Sequence, residues 1–331
     1  MWSKSEGYGG HVVPWHFYQP RLELVPLLDW DNAQAGYGFV ETGFGRATDG
    51  TLWPFALSFD VVAHEVGHLL LYSLVGLPDA DATTPAFGGF HESAADLIAL
   101  VSLLHFDTVI ARVIARSAGN LYVDNELNRF GELSASSEIR NASNSLTLDD
   151  VADESDIHVL SLVLTGAFFD VLCEAFLLRL HELDVIDGGI VALSRATTGS
   201  SEESPSVAAA LAAASGAHPD LFHRALGDAR DFLGRRLALT FELLAPDSLT
   251  YERVAGTFLA ADAAMTGSRG NWSWLATNFT WRKIEPKIPA NPIASRPIYP
   301  YRRIADYPEP YELQHSCALR ARRNPLSVSG N

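Results

Sequence analysis

The 331 residues, 47% of them hydrophobic, are enough to bury a substantial core in one large or two modest domains, and they exclude a disordered chain. A net charge of −16 argues against a nucleic-acid partner, because phosphate binding needs concentrated Lys and Arg. Two cysteines, Cys173 and Cys317, are too few for a disulfide framework.

In chain order, residues 1–54 are rich in aromatics and glycine. Gly36, Gly38, Gly43, Gly45 and Gly50 punctuate short apolar runs, which predicts short strands and turns. The opening MWSKSEGYGGHVVPWHF lacks the uninterrupted apolar stretch of a signal peptide. Residues 55–77 read FALSFDVVAHEVGHLLLYSLVGL, bracketed by Pro54 and by Gly76 and Pro78, and predict a long buried helix. Asp60, His64, Glu65 and His68 interrupt it before the roughly 18 apolar residues that a bilayer span needs, so no transmembrane segment is expected there. Further helices are predicted over 92–105, 158–182, 218–244 and 250–265. Between them lie a polar, Asn/Ser-rich loop over 116–156 and an exposed break over 197–205. From Trp281 the character changes. Residues 281–331 hold eight of the 17 prolines and a local charge of +5, leaving −21 for the rest. Such a tail cannot be regular helix and is expected to lie as an extended strap on the acidic body or to be partly disordered. The chain thus divides into a β/turn-rich part (1–54), a helical core (55–280) and a Pro-rich basic tail (281–331), giving an α+β, mostly α-helical fold class.

The chemistry concentrates in His64-Glu65-Val66-Gly67-His68. On a helix, positions i and i+4 share one face, so both imidazoles can reach a single metal while Glu65 sits about 100° around the axis. A hydrolytic zinc site takes three protein ligands and leaves a fourth position for water. Downstream, Glu92 and Asp96 open another apolar helical run and again share a face at i, i+4. One carboxylate can bind the metal and the other can brace a ligand histidine. A metzincin would place a Gly and a His where Leu71 and Leu74 stand, so that class is excluded.

This HExxH and ExxxD pair resembles the gluzincins, and especially the thermolysin-like zinc metallopeptidases. Phe59-Asp60-Val61-Val62-Ala63 is similar to the run entering that family's zinc helix. Ile139-Arg140-Asn141-Ala142-Ser143-Asn144 is similar to its arginine segment, and Asp153 precedes His158 by five residues as an Asp precedes the family's catalytic His. The likeness covers roughly residues 55–170. It implies Zn2+ held by His64, His68 and Glu92, with Glu65 as the general base that activates water. It further implies His158 and Arg140 at the oxyanion, Asp96 behind a ligand histidine, Asp153 behind His158, and Val61 and Ile139 lining a substrate pocket. Arg129 competes with Arg140, and Asp156 with Asp153. Asp60 matches a calcium-binding position, but residues 97–106 carry no carboxylate, so calcium is not expected.

The implied substrate is a peptide or protein, cleaved by an endopeptidase, and the 32–41 segment is the candidate edge strand for binding its backbone. Members of that class are usually exported, which leaves an extracellular location open. Nothing in the sequence sets an oligomeric state. Two other readings compete. One is a non-catalytic scaffold or binding protein with a structural zinc, which needs a fourth ligand such as His91. The other is a zinc aminopeptidase, for which the chain lacks a Gly-x-Met-x-Asn segment ahead of the motif.

Overall fold

The computed structural model describes residue 17 and residues 21–46, 49–123, 125–127, 129–130, 140–197 and 204–290. It is mostly helical with a small amino-terminal sheet, in keeping with an α+β class. Strand β1 (Glu23–Val25) runs parallel to β3 (Phe39–Thr42), and β3 pairs antiparallel with β2 (Ala33–Ala35), giving the order β1-β3-β2. The expected 32–41 strand is therefore two strands joined by a tight turn. Gly38 adopts φ +91°, a conformation costly for residues with a Cβ. A second hairpin, β4 (Phe44–Arg46) with β5 (Leu52–Pro54), leads through a short 3-10 turn into α1 (Phe59–Leu74).

Helix α1 ends where Gly76 turns left-handed at φ +86°, with Pro78 just beyond. Helix α2 (Pro85–Leu103) starts at a Thr84 cap whose Oγ1 accepts from the Phe87 N–H at 3.1 Å, with Pro85 at the first turn. It begins seven residues before the predicted start. Gly88 and Gly89 read as breakers, yet a Cβ on Gly89 would lie 2.1 Å from the Tyr251 hydroxyl, so that glycine serves close packing inside a helix. Then follow α3 (Asp107–Ser117), α4 (Ile157–Glu182), α5 (Gly188–Thr197), α6 (Pro205–Ala217), α7 (Pro219–Leu243), α8 (Tyr251–Thr266) and α9 (Trp272–Thr280).

Helix α4 is the axis of the body. It packs most extensively on α2 and α7 and also meets α5 and α9, while α1 covers the other side of α2 and α8 covers α7. One apolar cluster joins these helices, with Phe168, Phe258 and Phe279 meeting edge to face. By length and composition α4 could cross a membrane, and 89% of its most apolar 18-residue window is buried inside the protein, as in a core helix. The sheet docks on the outer face of α1 through a separate cluster of Phe17, Ala35, Val40, Leu69 and Tyr72.

The change of composition at Trp281 does not mark the edge of the packed body. Arg282 is 1% exposed, Ile284 is buried, and the Lys287 N–H donates to the Glu252 carbonyl at 2.8 Å on α8. The remainder of the expected strap, 291–331, lies outside the described residues.

Candidate metal centre

Two helices build the site. Helix α1 carries His64, Glu65 and His68 on consecutive turns, and α2 lies against it with Glu92 and Asp96 facing back. Their approach depends on Gly67 inside the motif: a Cβ there would sit 3.0 Å from the Cα of Ala95, between the two acidic residues of α2. Small residues at this crossing bring the ligand-bearing turns within reach of each other.

One donor atom from each of His64, His68 and Glu92 falls within 4.8 Å of the others, and all three residues are buried. His64 Nε2 lies 3.4 Å from Glu92 Oε2, His68 Nε2 lies 3.6 Å from Glu92 Oε1, and the two Nε2 atoms are 3.1 Å apart. The same nitrogen of each ring thus points to one locus. This group could hold a metal ion. Its other nitrogens are engaged behind. His64 Nδ1 meets Asp96 Oδ1 at 2.8 Å, and His68 Nδ1 meets His91 Nδ1 at 2.7 Å. A carboxylate on Nδ1 leaves the outward Nε2 lone pair available for coordination.

Burial disfavours the charged form of Glu92, but the neighbouring His158 and His68 and hydrogen bonds from His158 and His64 outweigh it. They hold the Glu92 carboxyl well below the usual range, so it is an anion at neutral pH. Glu65, adjacent in sequence to His64, is only 1% exposed. Tyr72, one turn beyond His68, is pushed well above the ordinary tyrosine range by burial, with Tyr37, Glu92 and Glu65 adding to the effect.

His158 stands at the rim on the first turn of α4, its side chain 31% exposed and its Nδ1 3.2 Å from Glu92 Oε2. The carboxylate beside it in sequence is Asp156, which caps α4 by accepting from the His158 backbone N–H at 3.0 Å. Asp153, expected behind His158, is exposed. The His158 Nδ1 faces Glu92 Oε2 at 3.2 Å, and Asp156 accepts from the His158 backbone N–H. Arg129 and Arg140, the rival arginines, lie on the paired strands β6 (Arg129–Phe130) and β7 (Arg140–Asn141) in a two-stranded ladder that contacts α4. Ile139 lies outside the described residues. Val61, one turn before His64, is already packed in a small cluster with Ala33 of β2 and Phe55, which narrows its role as a pocket wall. Asp60 accepts from the Ser58 hydroxyl at 2.9 Å at the start of α1.

His91, the candidate fourth ligand, meets the side of the His68 ring turned away from Glu92. Spacing alone cannot place it there, since its position depends on which way the His68 ring turns. Comparison with known proteins found no matching family model, no similar curated protein and no similar solved structure.

Proposed function

We propose that this protein is a zinc-dependent endopeptidase of the gluzincin type. The observation that carries the reading is the convergence, among the described residues, of three donors rather than four: two imidazoles and an ionised carboxylate, with the buried Glu65 next to them. A structural zinc site is closed by four protein ligands, whereas a catalytic one keeps a position open. A zinc ion held by His64, His68 and Glu92 would lower the pKa of a water molecule and polarise the scissile carbonyl.

The chain's own residues supply the rest. Asp96 holds the proton on His64 Nδ1 and so keeps Nε2 as the donor atom. Glu65 takes a proton from the attacking water and passes it to the departing amine. His158, on the exposed rim, donates to the substrate carbonyl oxygen as negative charge develops there, and Arg140 on β7 assists. The edge of β2, paired on one side only among the described residues and in contact with α1, offers backbone groups to an extended peptide.

The test compares wild type with Glu65→Gln, which keeps size and hydrogen bonding but removes basicity. Both should bind one zinc and melt at similar temperatures, and only wild type should cleave an unstructured protein in a chelator-sensitive way. Equal cleavage by the two at equal zinc content rules out the mechanism, and a wild type that cleaves no peptide favours the scaffold.

A further inference from the structure

The contact between His68 and His91 has no part in the chemistry above. Their ring centroids are 4.8 Å apart, the rings are parallel to within 5°, and their Nδ1 atoms are 2.7 Å apart. Parallel rings with nitrogens only 2.7 Å apart are too close to be stacked face to face, so they meet edge to edge. That is the geometry of an N–H···N hydrogen bond rather than of a face-to-face stack. His91 is fully buried, and its ring lies 4.6 Å from that of Tyr72, inclined by 29°. Tyr72 in turn meets Tyr37 at 5.4 Å, in the turn between β2 and β3.

Two imidazole nitrogens in contact divide the roles: one donates and the other accepts. His68 Nε2 faces His64 and Glu92, so using it as a metal donor places the His68 proton on Nδ1 and makes His91 Nδ1 the acceptor. We propose that His91 is a positioning residue that fixes the orientation and tautomer of His68. The rings of Tyr72 and Tyr37 hold His91 in place, so the amino-terminal hairpin becomes a support of the metal centre. This rests on the reading of His64, His68 and Glu92 as metal ligands, and it is independent of whether the protein cleaves peptides.

The experiment measures zinc affinity of the full chain by competition with a chromogenic chelator, for wild type, His91→Leu and His91→Asn, with melting of each metal-free form as a check on folding. Leu removes the acceptor, and Asn keeps one at a similar reach. His91→Leu should bind zinc about 10–100-fold more weakly, while His91→Asn stays within about threefold of wild type, as one retained hydrogen bond would predict. Wild-type affinity in His91→Leu overturns the proposal. So does a loss in His91→Asn as large as in His91→Leu, which would assign the effect to packing alone. If His91→Leu melts far below wild type, His91→Asn alone decides, and a loss of about tenfold or more there also overturns the proposal. Wild type that binds zinc yet cleaves nothing removes the peptidase reading and leaves this inference standing. Wild type that binds no zinc removes both.

Discussion

Asp96 shows how much of a candidate metal site lies outside its potential donors. It is 1% exposed and 2.8 Å from His64 Nδ1, so its charge and the imidazole orientation are tied together. Asp96→Asn should retain the fold and weaken zinc binding by about 10–100-fold, whereas Glu92→Ala removes a donor and should abolish tight binding. Full zinc retention in Glu92→Ala, measured by metal analysis, would take Glu92 out of the donor set. On the proposed mechanism His158 and Arg140 would act later, on charge that appears only as the carbonyl is attacked. Each alanine variant should keep zinc and lose about 2–4 kcal/mol in kcat/KM terms. Near-normal turnover in Arg140→Ala together with collapse in Arg129→Ala would transfer the role to the other strand of the ladder.

At the scale of elements, the meeting of α1 and α2 sets the distance between donors, and two helical glycines separate that effect from propensity. Gly227 on α7 has open space where a Cβ would go, so Gly227→Ala should stabilise by about 0.5–1 kcal/mol. Gly67→Ala would crowd the Ala95 Cα at 3.0 Å, so it should forgo that gain and weaken zinc binding. Equal stabilisation by both, with zinc affinity unchanged, would show that the crossing tolerates a wider gap. Part of this crossing is legible in the sequence. Helix α1 announces itself through Pro54, Gly76, Pro78 and the spacing of His64 and His68, and Glu92 with Asp96 declares one face of α2. The start of α2 stays hidden because Gly88 and Gly89 mimic a break, and only packing against Tyr251 reveals the purpose of Gly89. Helices α3, α5, α6 and α9 are absent from the predicted elements, although Pro205 and its alanine run signal the start of α6. The choice between Asp153 and Asp156, like the place of His91, turns on caps and ring orientation that no linear spacing encodes.

Across the whole molecule, Arg282 joins the end of the helical body to the segment that leads toward the site. Its Nε lies 2.9 Å from Asp170 Oδ2 on α4, and its other nitrogens reach Asn144 Oδ1, the Asn144 carbonyl and the Leu146 carbonyl at 2.7–2.9 Å. The Leu148 N–H donates back to the Arg282 carbonyl at 2.9 Å. Gly166 makes room for this guanidinium, which a Cβ would meet at 2.6 Å. Residues 144–148 follow closely on β7, so this arginine braces the stretch between Arg140 and His158. Burial pushes the Asp170 carboxyl up to about 6, against the pull of Arg282 and of hydrogen bonds from Arg282 and Tyr122. Arg282→Met removes most of that pull, so the carboxyl should rise further above its unfolded value. A carboxyl raised on folding contributes stability below its unfolded pKa and loses it as pH climbs through the folded one. The variant should therefore cost about 3–5 kcal/mol at pH 8, where an unpaired buried anion remains, and distinctly less at pH 5, where Asp170 can take up a proton. Urea unfolding at the two pH values decides it: a cost that is equal at both, or larger at pH 5, would mean that Arg282 stabilises the body through its carbonyl contacts to the 144–148 segment and not through Asp170.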